Sequence, residues 1–119
     1  MVLVDTSIWI SHLTKGNARL KALLENSEVI CHPLVISELA CGNIRNRAEI
    51  LPLLQALPTA DVAQHDEVLR FIESHRLMGR GLGLIDVHLL ASSLLAGVPL
   101  WTADKRLRTA SVELNVAYP

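Results

Sequence analysis

Short, almost wholly apolar runs alternate with longer helical patterns along the chain, and this alternation limits the fold more than any other feature. Val2 to Val4, EVICH at 28–32 and VPLWT at 98–102 read as strands, VELNVA at 112–117 as a last strand, and ADVAQ at 60–64 as a short edge strand. Strands apolar on both faces belong to parallel sheets covered by helices on both sides, so an α/β fold is expected.

The segments between carry helix punctuation. A hydroxyl cap at Thr6 or Ser7 opens a helix with apolar Ile8, Ile10 and Leu13, ended by Gly16-Asn17. Residues 18–25 place Leu20, Leu23 and Leu24 on one face. Pro33 suits a first helical turn and Gly42 the residue past the end, which brackets PLVISELACG. Residues 46–57 form another helix, where Pro52 predicts a kink or a split. Residues 66–78 form a helix with Val68, Leu69 and Ile72 inward and Asp66 and Glu67 at its positive end. LIDVHLLASSLLAG at 84–97 is the most apolar helix, and ADKRLRTA at 103–110 a short one.

A length of 119 residues fits one domain, 1–119, built on one core. Hydrophobic residues make up 50% and mean hydropathy is +0.35, but no run approaches the roughly 20 uncharged apolar residues of a membrane span. With no secretory signal pattern, a soluble cytoplasmic protein is expected. Cys31 and Cys41 are too few for a disulfide framework and lack zinc-ligand spacing, so both are expected to be buried thiols.

In parallel sheets ligands bind beyond the carboxyl ends of the strands. Asp5 ends the first strand and Asp104 lies just past VPLWT, so two carboxylates face one crevice. Glu38 interrupts the apolar surface VISELA, and Asp86 is the only charge in the most apolar helix. A charge in a mostly buried helix needs a partner. Singly, each has an ordinary reading as a helix cap or a salt-bridge partner. Together they repel, by about 4 kcal/mol per pair at 4 Å and an effective dielectric of 20, and must hold protons or bind cations. All-oxygen ligation favours Mg²⁺ or Mn²⁺ over zinc, the ions of phosphodiester chemistry.

LVDTSIWI, VISELACG and LIDVHLLASSLLAGVPLWTADKRL, in this order and spacing, resemble the PIN-domain family, and within it the VapC-type toxin ribonucleases. The resemblance spans essentially the whole chain. It implies a three-layer α/β/α sandwich with a five-stranded parallel sheet, RNA cleavage dependent on Mg²⁺ or Mn²⁺, and neutralisation by a cognate VapB-type antitoxin. Motif matching makes Asp5 and Asp86 direct metal ligands. Glu38 and Asp104 complete the pocket directly or through water, and Thr6, Ser7 and Thr102 orient carboxylates or water. Some relatives carry a further acid in the helix of Asp86; here the next polar residue is His88, so the choice between one ion and two stays open. The expected chemistry is in-line attack of an activated water on a backbone phosphate, leaving a 5′-phosphate and a 3′-hydroxyl.

Net charge is −1, but with four carboxylates committed to an ion the balance becomes 11 basic against 8 acidic residues, or +3. Arg80, Lys105 and Arg106 are the candidates for gripping an RNA backbone, against the plain reading of solvated surface charges. Aromatic residues are only 3%, so base stacking cannot dominate recognition, and a single-stranded loop of suitable shape is the expected target. GRGLG at 79–83 follows a helix and lacks the third glycine of a dinucleotide fingerprint, so it reads as a flexible loop at the pocket rim. Trp9 and Trp101 read as core or interface residues, and the five histidines show no ligand spacing. The richness in Leu, Ile and Val leaves apolar surface for a homodimer and for an antitoxin helix.

Two other classes compete. A receiver-type phosphoacceptor needs paired N-terminal acids and an aspartate ending a middle strand, whereas Asp5 is flanked by Val4 and Thr6 and EVICH ends in His32. A non-catalytic PIN-like scaffold would have no need to retain all four acids.

Overall fold

The computed structural model describes residues 1–119. The elements run β1 (Val2–Val4), α1 (Thr6–Lys15), α2 (Ala18–Glu25), β2 (Val29–Ile30), α3 (Pro33–Cys41), α4 (Arg47–Gln55), α5 (His65–His75), α6 (Leu84–Ala96), β3 (Leu100–Trp101) and α7 (Lys105–Glu113). The sheet is parallel, with order β2-β1-β3 and pairings Val2↔Val29, Leu3↔Ile30, Leu3↔Leu100 and Val4↔Trp101. Its central strand is buried along its whole length, because helices cover both faces.

The sheet has three strands, not five. Each further segment is reduced to one parallel bridge, Cys31↔Thr59 at one edge and Leu100↔Ala117 at the other. At the first edge, Cys31 donates to the Pro58 carbonyl and accepts from the Ala60 N–H; beyond that, the Asp61 carbonyl is taken by Ser92 Oγ, and 60–64 form no strand. At the other edge, α7 runs to Glu113 and so takes up the first residues of the expected strand. Leu107, Ala110 and Ser111, at helical spacing, are buried and hold that helix down. Asn115, with φ +60°, turns the chain back so that Val116 and Tyr118 flank Leu100.

Three local expectations also change. Helix α4 passes through Pro52 without a split. In α5, which ends at His75, Val68, Phe71 and Ile72 share the inner stripe, whereas Leu69, a further 100° around, is 51% exposed. In α3, Val35 and Leu39 define the buried face, and Cys41 falls on the opposite side; it is exposed, while Cys31 is buried, and both are free. Trp9 is in the core, as expected. No helix is long and apolar enough to cross a membrane.

Candidate active site

The register of β1 on β3 brings the two strand ends together. The Asp5 N–H donates to the Trp101 carbonyl at 2.9 Å, so Asp5 and Thr102 leave the sheet side by side. Asp5 occupies the capping position of α1, but its carboxylate makes no capping bond. Instead Asp5 Oδ2 accepts from the Thr102 hydroxyl at 2.7 Å and the Ser7 hydroxyl at 2.8 Å. Those hydroxyls also accept backbone N–H groups, Thr102 from Asp104 and Ser7 from Ala103, both at 3.0 Å. The turn after β3 is thereby fastened to the start of α1, and Asp5 is only 6% exposed.

The other acids come from three helices. Glu38, on α3, accepts the Thr6 hydroxyl hydrogen at 2.5 Å. Asp86, in the first turn of α6, accepts the Gly83 N–H on Oδ2 at 2.9 Å. Asp104 caps α7, its Oδ1 accepting the Leu107 N–H at 3.0 Å. The ordinary capping reading is thus true of Asp86 and Asp104, but it occupies one oxygen of each. In all four carboxylates the second oxygen has no hydrogen-bond partner in the protein.

Burial, first, and then the charges of Asp5, Asp104 and Glu38 push the Asp86 carboxyl above its usual range, against the pull of the Gly83 N–H. Asp86 therefore feels the charge of the other three acids, although no three His, Cys, Asp or Glu side chains converge on a single point at ligand distance. An all-oxygen donor set, half of it fixed and half of it free, with mutual repulsion to relieve, suits a hard divalent cation.

The three basic candidates differ in situation. Arg80 Nη1 lies 2.7 Å from Glu113 Oε2, while Lys105 and Arg106 stand exposed on the first turn of α7. A cleft of about 400 Å³, lined by Ile10, Leu13, Leu39 and Ile44, runs between α1 and α3 with Glu38 at its border.

His32 carried no expectation beyond a core or surface place. It is fully buried; its Nδ1 accepts the Leu34 N–H at 3.0 Å, which caps α3. That bond puts the ring proton on Nε2, 3.1 Å from Ser92 Oγ, and Ser92 donates in turn to the Asp61 carbonyl. The helix bearing Glu38 is thus joined to the helix bearing Asp86. A receiver-type phosphoacceptor would need an accessible aspartate where this buried imidazole sits. The only sequence signal for the role was a polar residue ending a buried strand immediately before Pro33.

The PIN domain family model matches residues 2–113. The chain belongs to the PIN-domain family. Ribonuclease VapC32 of Mycobacterium tuberculosis, in strains CDC 1551 / Oshkosh and ATCC 25618 / H37Rv, is 53% identical over 118 residues, covering 98% of this chain and 95% of the relative. Two solved structures share the fold of this PIN domain at 19% identity each, with 98% of the chain covered. PAE2754 from Pyrobaculum aerophilum matches over 87% of its chain with a TM-score of 0.65, and FitAB bound to an IR36 DNA fragment over 92% with a TM-score of 0.61.

Proposed function

We propose that this PIN domain is an endoribonuclease dependent on Mg²⁺ or Mn²⁺, the toxin of a toxin–antitoxin pair. The observation that carries the reading is the set of four carboxylates, Asp5, Glu38, Asp86 and Asp104, each with one oxygen fixed and one free. The relationship to Ribonuclease VapC32 supports RNA as the substrate.

Asp5 and Asp86 would hold the ion directly, with Glu38 and Asp104 completing the pocket directly or through water. A bound divalent ion supplies an activated water and stabilises charge on the attacked phosphate. The protein's own part is orientation. Thr102 and Ser7 fix one Asp5 oxygen, Thr6 fixes Glu38, and the Gly83 N–H fixes Asp86, so little rearrangement remains to be made at the moment of reaction. Lys105 and Arg106 would grip the RNA backbone, and in-line attack by water would leave a 5′-phosphate and a 3′-hydroxyl. The largely apolar cleft beside Glu38 would receive a VapB-type antitoxin helix, next to that acid. A homodimer would bury other exposed apolar residues, among them Leu69, Leu94 and Leu95.

The test is cleavage of a mixed pool of transfer and ribosomal RNA by purified protein with Mg²⁺, with Mn²⁺ and with chelator, beside Asp5→Asn and Asp86→Asn. Discrete metal-dependent cuts lost in both variants are expected. A folded wild type that cuts nothing, or variants that cut equally well, would refute the reading and leave the scaffold in its place.

A further inference from the structure

We propose that Gly81 is a positioning residue for RNA: its missing side chain seats Arg106 across the loop between α5 and α6, where Arg106 is the preset phosphate clamp beside the acidic pocket. The proposal rests on the ribonuclease reading and extends it to one contact.

A Cβ on Gly81 would lie 2.8 Å from Arg106 Nη1, 2.9 Å from its Cδ and 3.0 Å from its Cζ. The contact spans both stem and guanidinium, so the arginine lies along the glycine rather than touching it with its tip. Gly81 also has φ +74°, a conformation natural to glycine. Arg106 is two residues past Asp104, and Gly81 is five before Asp86. Their contact therefore joins the segment leading into the helix of Asp86 to the first turn of the helix of Asp104.

Three contacts tie the loop to the rest of the chain. Arg80 holds it to Glu113 at 2.7 Å, Leu82 packs against the core, and the Gly83 N–H is bonded to Asp86. Arg80 already has a carboxylate partner, at the surface. Arg106 has no carboxylate partner: its stem and guanidinium lie against Gly81, and the side chain is exposed to solvent. A planar cation with a restricted stem and no internal counter-ion is what a phosphate oxygen pair recognises. Ordering that side chain in advance removes part of the entropy lost on binding.

The experiment measures anisotropy of a labelled single-stranded RNA of mixed sequence over a salt series in chelator, so that nothing is cut, together with steady-state cleavage in Mg²⁺. Arg106→Gln is expected to raise Kd about tenfold. It should lower the slope of log K against log salt by about 0.7. KM should rise with kcat held. Gly81→Ala should reproduce the affinity loss, and the pair Gly81→Ala with Arg106→Gln should bind no worse than Arg106→Gln alone. Should Gly81→Ala not fold, Arg106→Lys, which keeps the charge but not the plane, is expected to fall between wild type and Arg106→Gln. Unchanged affinity and slope in Arg106→Gln, full additivity of the two losses, or wild-type behaviour of Arg106→Lys would overturn the clamp alone. A wild type that neither binds nor cuts RNA would overturn the ribonuclease reading beneath it.

Discussion

Thr102 and Asp5 stand 97 residues apart in the chain, yet the threonine hydroxyl donates to Asp5 Oδ2 across 2.7 Å. The bond is possible because β1 and β3 pair in parallel and release both residues at the same end. It also links two roles, since the same hydroxyl accepts the Asp104 N–H. One side chain thus sets the place of two of the four acids.

Removing that hydroxyl leaves the Asp104 N–H without its acceptor and Asp5 Oδ2 with Ser7 alone. Thr102→Val is expected to lower cleavage roughly 10- to 100-fold, the range typical of residues that orient metal ligands. Titrating Mn²⁺ at fixed RNA checks the cause, because the concentration for half-maximal rate should rise. Thr102→Ser should restore both rate and metal response; a fully active Thr102→Val would show that Ser7 suffices.

The strand-end acids were legible in the sequence because the parallel-sheet rule locates a ligand crevice from strand ends alone. Asp86 and Glu38 were legible because a carboxylate in an apolar helix needs a reason. Other features depend on contacts that no local pattern encodes. His32 meets Ser92 across 60 residues, and Arg80 finds Glu113 only once α7 is docked, a contact the loop's own sequence does not announce. The outer strands failed for a related reason: apolar residues at 112–117 fit a strand or the last turn of a helix, and the buried stripe of α7 decided for the helix as far as Glu113.

Mutual repulsion among the acids predicts a stability signature apart from activity. Adding Mg²⁺ or Mn²⁺ to chelated protein should raise Tm, by about 2.7 kcal/mol of stability at an ion concentration 100 times Kd. Asp86→Asn should act in the opposite sense in each condition. It relieves repulsion while its amide oxygen can still accept the Gly83 N–H, so the ion-free variant should gain about 1 kcal/mol, or about 4 °C. Its response to the ions should be largely lost. Differential scanning calorimetry with and without chelator reads both effects, and an ion-free Asp86→Asn less stable than wild type would argue that capping outweighs repulsion there.

At the far sheet edge a cation lies over two rings that pack on each other, Trp101 and Tyr118, their centres 5.3 Å apart. Arg19 Cζ lies 4.5 Å from the Tyr118 ring centre and 5.5 Å from that of Trp101, and Tyr118 donates its N–H to Leu100 at 2.9 Å. Arg19→Met keeps an apolar stem and removes the charge, so a loss of about 0.5–1 kcal/mol is expected from urea midpoints. Hydrogen exchange at the Tyr118 amide should accelerate more than at Leu3, since the edge opens before the centre.

The His32 bridge predicts an acid sensitivity of stability. Burial, and after it the neighbouring His88, lowers the His32 pKa from 6.5 to about 4. His88, its Nδ1 buried without a partner, is shifted the same way by its own burial and then by His65. The folded state thus prefers neutral rings. Above pH 6.5 neither state binds the proton and stability is full. Between 6.5 and about 4 the unfolded chain takes up protons that the folded one refuses, so stability falls as pH falls. For His32 alone the loss over that window is roughly 3 kcal/mol. His32→Asn keeps an oxygen to cap α3 but removes the titration, so its stability at pH 7.5 should drop and its slope between pH 6.5 and 5, above most carboxylate titration, should flatten. Urea midpoints of wild type and variant at half-unit pH steps give the comparison. Parallel slopes across that window would mean that His32 is protonated as easily in the folded chain as in the unfolded one.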